Sequence, residues 1–207
     1  MKDRAPNRLE PPGMRALRPD DALWDRFFTV APLVLVGTLE PDGSADIAPK
    51  HQATPIGSSE LFGFVCRPEH ATLRNARARQ CFTVSYPTPA MILQASLAAS
   101  PRDSDGGKPT LELVSLSPAQ VVDGVLVDGS RAHLECRLVR VVDDLAGNAL
   151  VIGQVVAAAV SQSAHREPGT DDADLIDHAP LLAYVHPGRV AAIHATKDFP
   201  YHAGFHD

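Results

Sequence analysis

Residues 31–44 read Ala31-Pro-Leu-Val-Leu-Val-Gly-Thr-Leu39 and then Glu40-Pro-Asp-Gly-Ser44. An aliphatic, β-branched run that ends in Pro-Asp-Gly predicts a β-hairpin, because the turn residues supply the φ values that reverse a strand. The return strand runs from Ala45 to about Pro49. Upstream, Asp20 is a candidate N-cap for a short helix, with Leu23 and Phe27, then Trp24 and Phe28, at i,i+4 on one apolar face. Residues 1–19 carry charges and prolines without period, and read as an extended arm ahead of a single domain over 20–207.

Downstream, Leu61-Phe-Gly-Phe-Val-Cys66 predicts a third strand, and Glu69 to Arg79 a helix with Pro68 in its first turn. Gln80–Tyr86 alternates, with Cys81, Thr83 and Ser85 on one face and Phe82, Val84 and Tyr86 on the other. Met91–Ala99 is a short helix, and Arg102–Pro109 a flexible loop. In the long strand Arg131–Val142 the apolar parity slips after Leu138, which predicts a bulge near Val139–Arg140. Ala149–Val160 is apolar almost throughout, as expected of a strand covered on both faces, partly by another subunit. A polar loop over 161–173, a helix over Asp174–His178 and a last strand over Arg189–His194 follow. Many short strands with a few inserted helices predict a mainly β protein, a closed antiparallel barrel.

Composition excludes several classes. The formal charge of −6 argues against nucleic-acid binding, which needs a basic excess. No apolar run approaches the roughly 18 residues of a membrane helix. The N-terminus lacks the apolar core of a signal peptide, so a cytoplasmic location is expected. Three cysteines (Cys66, Cys81, Cys136) fit neither a disulfide framework nor a zinc site, and read as buried thiols.

Three clusters could carry chemistry. Asp46-Ile-Ala-Pro-Lys-His-Gln52 closes the hairpin and leaves Lys50 and His51 beside a stiffened strand end. They read either as solvated edge residues or as groups facing a cofactor ring. Arg67-Pro-Glu-His-Ala-Thr-Leu-Arg-Asn75 sits where a strand gives way to a helix. Free N–H groups, the helix dipole, the Thr72 hydroxyl and the Arg67 fork together suit a phosphate, with Asn75 on the same face. The plainer alternative is a capped surface helix with Arg67 in solvent. The tail histidines (His186, His194, His202, His206) match no standard zinc spacing, so no metal site is expected.

Taken in order, Pro32-Leu-Val-Leu-Val-Gly-Thr38, the acidic Gly turn, Ala48-Pro49, Thr72-Leu-Arg-Asn75 and Phe82-Thr-Val-Ser85 resemble the flavin reductase-like proteins with an FMN-binding split barrel. Leu134-Glu-Cys136 and Val151-Ile-Gly-Gln-Val155 extend the likeness, which spans about 28–160 and more weakly Pro180–Tyr184. The resemblance implies a six-stranded Greek-key split barrel, a homodimer with FMN near the subunit boundary, and hydride transfer from NAD(P)H to FMN. It also implies a possible partner monooxygenase. A non-catalytic FMN store or sensor is the alternative.

The family's Asn-x-Ala-Pro-x-Ser segment along the flavin corresponds to Asp46, Ala48, Pro49 and His51, with Lys50 between the last two. Its Lys-Asp-Thr-x-x-Asn segment at the phosphate corresponds to His70, Ala71, Thr72 and Asn75. Asp46 replaces Asn, His51 replaces Ser, and His70-Ala71 replaces Lys-Asp. Phosphate charge compensation is therefore expected from Arg67, Lys50 or Arg74. His51 is the candidate for tuning the flavin or steadying the nicotinamide, and Tyr184 for completing the pocket from the other chain.

Overall fold

The computed structural model describes residues 12–18, 20–104 and 106–201. The hairpin forms as its sequence dictates. Strands β2 (Val34–Leu39) and β3 (Ala45–Lys50) pair antiparallel from Val34↔Lys50 to Leu39↔Ala45. Gly43 adopts φ 88 at the turn, and Asp42 accepts from the Ser44 N–H at 2.9 Å. The apolar run itself is divided. Thr29–Pro32 forms a separate strand, β1, and the chain passes to the main sheet at Leu33.

The remaining strands are β4 (Ala53–Pro55), β5 (Leu61–Cys66), β6 (Cys81–Tyr86), β7 (Leu116–Pro118), β8 (Val125–Val127), β9 (Ala132–Val142), β10 (Ala149–Val160), β11 (Leu181–His186) and β12 (Arg189–Ile193). The helices are α1 (Ala71–Arg79), α2 (Ile92–Ala98) and α3 (Asp172–His178). A seven-stranded sheet runs β3-β2-β6-β9-β10-β5-β4, six substantial strands plus the three-residue β4. Its end strands, β3 and β4, do not pair with each other, so the barrel is split and not closed. β1-β11-β12 and β7-β8 form two smaller sheets.

Two apolar layers hold this together. Phe62, Phe64, Phe82, Val84 and Val151 fill the barrel, with Leu73 and Ala76 of α1 packed among them. Leu35, Ile47, Met91, Ala98, Val125 and Val127 form the second layer, under α2 and β8. The alternation of β6 serves both. Phe82 and Val84 enter the barrel, while the Thr83 hydroxyl donates to the Val125 carbonyl and Ser85 accepts from the Val127 N–H at 3.0 Å. Gly153 is required where β10 crosses Phe82, because a Cβ there would lie 2.6 Å from the ring.

The expected bulge is present. Pairing jumps from Ile152↔Arg140 to Gly153↔Leu138 and leaves Val139 unpaired. A second irregularity lies between Val155 and Ala157, and the last residues of β10 beyond it are exposed, Val160 by 43%. The alternation of β10 is thus buried only in its first half within one chain.

Two expectations need correction. The helix expected after Asp20 is a single 3-10 turn, Leu23–Asp25. Ala22, at φ 51, precedes it, and the Asp20 carboxylate pairs with Arg18 at 3.7 Å and does not cap. Phe27 and Phe28 therefore lie beyond the turn and are exposed. Pro68 lies in the turn before α1, which starts at Ala71 with His70 as N-cap. Most of the expected arm (1–11 and 19), and the tail residues His202 and His206, lie outside the described residues.

Candidate functional site

Strand β3 and the start of α1 come together across one cavity of about 430 Å³. Asp46, Ala48, Pro49 and Lys50 line one side, and Glu69, His70, Ala71 and Thr72 another. The segment from Ala98 to Arg102, after α2, and Lys108 close the rest. The two sequence clusters meet because the hairpin places β3 at the sheet edge and α1 packs against β2 and β3.

Asp46 is the centre of the polar wall, 1% exposed. Its Oδ1 accepts from Arg102 at 2.7 Å and faces Lys108 Nζ at 3.2 Å. Its Oδ2 accepts from the Thr72 hydroxyl at 3.1 Å and from Thr38 at 3.5 Å. Asn75 stands behind, donating to Thr38 Oγ1 at 3.3 Å. Thr72 and Asn75 therefore belong to a buried network that holds the Asp46 carboxylate. The hydroxyl expected to meet a phosphate is already donating to that carboxylate. Lys108 also donates to the carbonyls of Ile47 (2.8 Å) and Ala98 (3.2 Å), which ties it to β3 and to the end of α2.

Lys50 differs from its neighbours. It is 9% exposed, lines the cavity, and pairs with no carboxylate among the described residues; its Nζ donates to Cys66 Sγ at 3.4 Å. A buried ammonium without a counter-charge is costly, and an anion in the adjoining cavity would relieve it. At the start of α1, His70 supplies no side-chain cap, so the positive end of the helix lies against the same cavity. Burial first, then the charge of Lys50, lowers the His70 pKa and keeps its imidazole neutral near neutrality.

The other sequence candidates lie elsewhere. Arg67 is exposed (side chain 67%), sits 3.9 Å from Glu69 and does not line this cavity. Arg74 pairs with Glu40 at 2.7 Å. His51, next to Lys50, turns its ring onto Tyr184, with centroids 4.3 Å apart and planes at 25°. His186 stacks at 6.1 Å and faces Asp25 at 3.4 Å. Burial, His186 and Lys50 lower the His51 pKa. Among the described residues no group of three or more His, Cys, Asp or Glu side chains is placed to hold a metal.

Arg102 and Lys108 are the site residues that sequence reading missed, since their segment has the composition of a loose loop. The one signal was Asp46 itself, since a carboxylate in a buried strand needs cationic partners, but five cations (Lys50, Arg67, Arg74, Arg77, Arg79) lie nearer in sequence than these two.

A family model described as "Flavin reductase like domain" matches residues 27–189, and the chain belongs to that family. The fold is shared with solved structures of low sequence identity. Flavoredoxin of Desulfovibrio vulgaris (Miyazaki F) superposes with a TM-score of 0.71 at 21% identity, covering 95% of this chain and 99% of that one. Nitrilotriacetate monooxygenase component B from Bacillus cereus gives 0.76 at 17%, covering 90% and 98%. An FMN-binding protein from Thermus thermophilus with bound 1-cyclohex-2-enone gives 0.70 at 17%, covering 89% and 98%.

Proposed function

We propose, from membership of the flavin reductase-like family, that this cavity holds FMN and that the protein passes hydride from NAD(P)H to it. The observation that carries the reading is Lys50, a nine-tenths buried cation on the cavity wall with no carboxylate partner among the described residues. The residues present fit such a cofactor. The cavity lies within the size range of small-molecule sites, with apolar Ala48 and Pro49 beside a cationic end. In this reading Lys50 and the uncapped start of α1 hold the phosphate, and Ala48-Pro49 lies along the ring.

The flavin, when bound, supplies the hydride-accepting chemistry, so no catalytic triad is needed. The protein's part is positioning. Arg102 and Lys108, anchored on Asp46, close one side of the cavity and limit water. His51, neutral and stacked on Tyr184, is assigned to steadying the nicotinamide. The absorption spectrum of the purified protein, followed by anaerobic addition of NADH and then NADPH, tests this. Bound oxidised flavin that bleaches on one addition is expected. Bound flavin that neither nucleotide reduces would instead indicate an FMN store or sensor.

The assembly is proposed to be a homodimer. An apolar groove of about 520 Å³ lies between β1, β11 and the end of β10, lined by Val30, Leu33, Tyr86, Val160 and Leu182 among others. The exposed end of β10 adjoins it, and a second copy would cover both. Light scattering at micromolar concentration should give twice the chain mass, and a monomer would refute it. The fold shared with a nitrilotriacetate monooxygenase component B supports a partner monooxygenase as the consumer of reduced flavin. Three buried free thiols support a reducing, cytoplasmic location.

A further inference from the structure

Lys50 and Cys66 come from strands β3 and β5, distant in sequence, yet Nζ and Sγ lie 3.4 Å apart. Both side chains are buried, and Lys50 opens onto the cavity. The three thiols differ sharply in their surroundings. Cys81 donates to the Asp123 carbonyl at 3.3 Å, and burial raises its pKa. Burial pushes Cys136 up to about 12. Of the three, Cys66 alone has a lysine nitrogen against its sulfur, close enough for a bond between them to need only a small movement.

We infer that Lys50 and Cys66 form a peroxide-sensitive covalent switch, in which oxidation of Cys66 is captured by the Lys50 amine as a sulfur–nitrogen bond. The oxidant is hydrogen peroxide. The Cys66 thiolate attacks one peroxide oxygen, an S–O bond forms, the O–O bond breaks, and the departing hydroxide takes up a proton as water. The product is a sulfenic acid. Lys50, having released its proton to water, attacks the sulfur; the S–N bond forms, the S–O bond breaks, and a second water leaves. In sum the thiol and amine lose two hydrogens and one peroxide becomes two waters. The reaction removes the positive charge that Lys50 presents to the cavity. Given the proposed flavin site, on which this consequence alone rests, reduced flavin reacting with dioxygen would generate the oxidant that weakens FMN binding.

The test is treatment of the purified, flavin-free full chain with hydrogen peroxide, followed by intact mass and peptide mapping. The expected product is about 2 Da lighter and carries a link between the peptides containing Lys50 and Cys66. It should revert with dithiothreitol and be absent from Cys66→Ser and from Lys50→Arg. A disulfide has the same mass change, so the map decides: a Cys66–Cys81 or Cys66–Cys136 link overturns the inference. So does Cys66 left unmodified, or carried to sulfinic acid without a link. FMN affinity should fall by roughly ten- to a hundredfold in the linked protein while riboflavin affinity is unchanged. A link that forms in a protein with no affinity for FMN supports the switch and refutes the flavin reading instead.

Discussion

Asp46→Asn separates the two roles of the polar wall, because it should lower stability and raise FMN affinity at once. Asp46 carries one buried negative charge against Arg102 at 2.7 Å and Lys108 at 3.2 Å. Stranding a buried partner typically costs about 3–5 kcal/mol. Here the loss is smaller. Arg102 keeps Glu40 at 2.5 Å and Lys108 keeps two carbonyls, while the new amide can still meet the Thr72 and Thr38 hydroxyls. A loss of about 1–3 kcal/mol is expected, read as a lower denaturant midpoint at unchanged slope. The cavity wall meanwhile gains one net positive charge. FMN should bind about tenfold tighter, ~1.4 kcal/mol, with the gain shrinking in high salt. Riboflavin, which lacks the phosphate, should not respond. Titration of both flavins by fluorescence quenching reads this directly. Unchanged FMN affinity, or an equal gain for riboflavin, would refute the electrostatic reasoning.

Glu135 accepts N–H bonds from Gln120, Val121 and Val122 at 2.6–3.0 Å, which outweigh its desolvation and lower its pKa. Glu135→Gln turns one acceptor into a donor facing those N–H groups, and a midpoint loss equivalent to ~1–3 kcal/mol is expected. Gly153→Ala forces a methyl into Phe82 at 2.6 Å, and thermal unfolding should show a loss of about 1–3 kcal/mol. His51 and His70 both titrate below their ordinary 6.5 in the folded chain. The folded state then binds fewer protons than the unfolded one, so their stability contribution is present above 6.5 and lost as pH falls through the lower folded values. Denaturation midpoints should drop between about pH 7 and 5, and the double variant His51→Gln/His70→Gln should show a shallower drop. An equal slope in that variant would assign the pH dependence to other groups.

The main barrel was legible wherever a local pattern was sufficient. The Pro41-Asp42-Gly43 turn, the alternation of Cys81–Tyr86 and the parity slip at Val139 all appear as read. What failed was decided by partners remote in sequence. Leu33 looks like the middle of one strand, but β1 pairs with β11 and β2 with β3 and β6, so the chain changes sheets there. The short strands β4, β7 and β8 have too few residues to show a period, and exist because β5 and β2 offer edges and surface to them. In the site, the clusters at 46–50 and 69–72 were visible as residue types. That Thr72 would serve Asp46, and that Arg102 and Lys108 would answer it, is long-range electrostatics that no local pattern encodes.

The most direct measurement compares FMN and riboflavin binding to the parent chain and to Lys50→Met, with circular dichroism showing both folded. The proposed site requires Lys50→Met to lose about one to two decades of FMN affinity, the worth of a charge-assisted bond, while riboflavin affinity holds. Equal FMN affinity in the two proteins, or a matching loss for riboflavin, would contradict a phosphate held at Lys50.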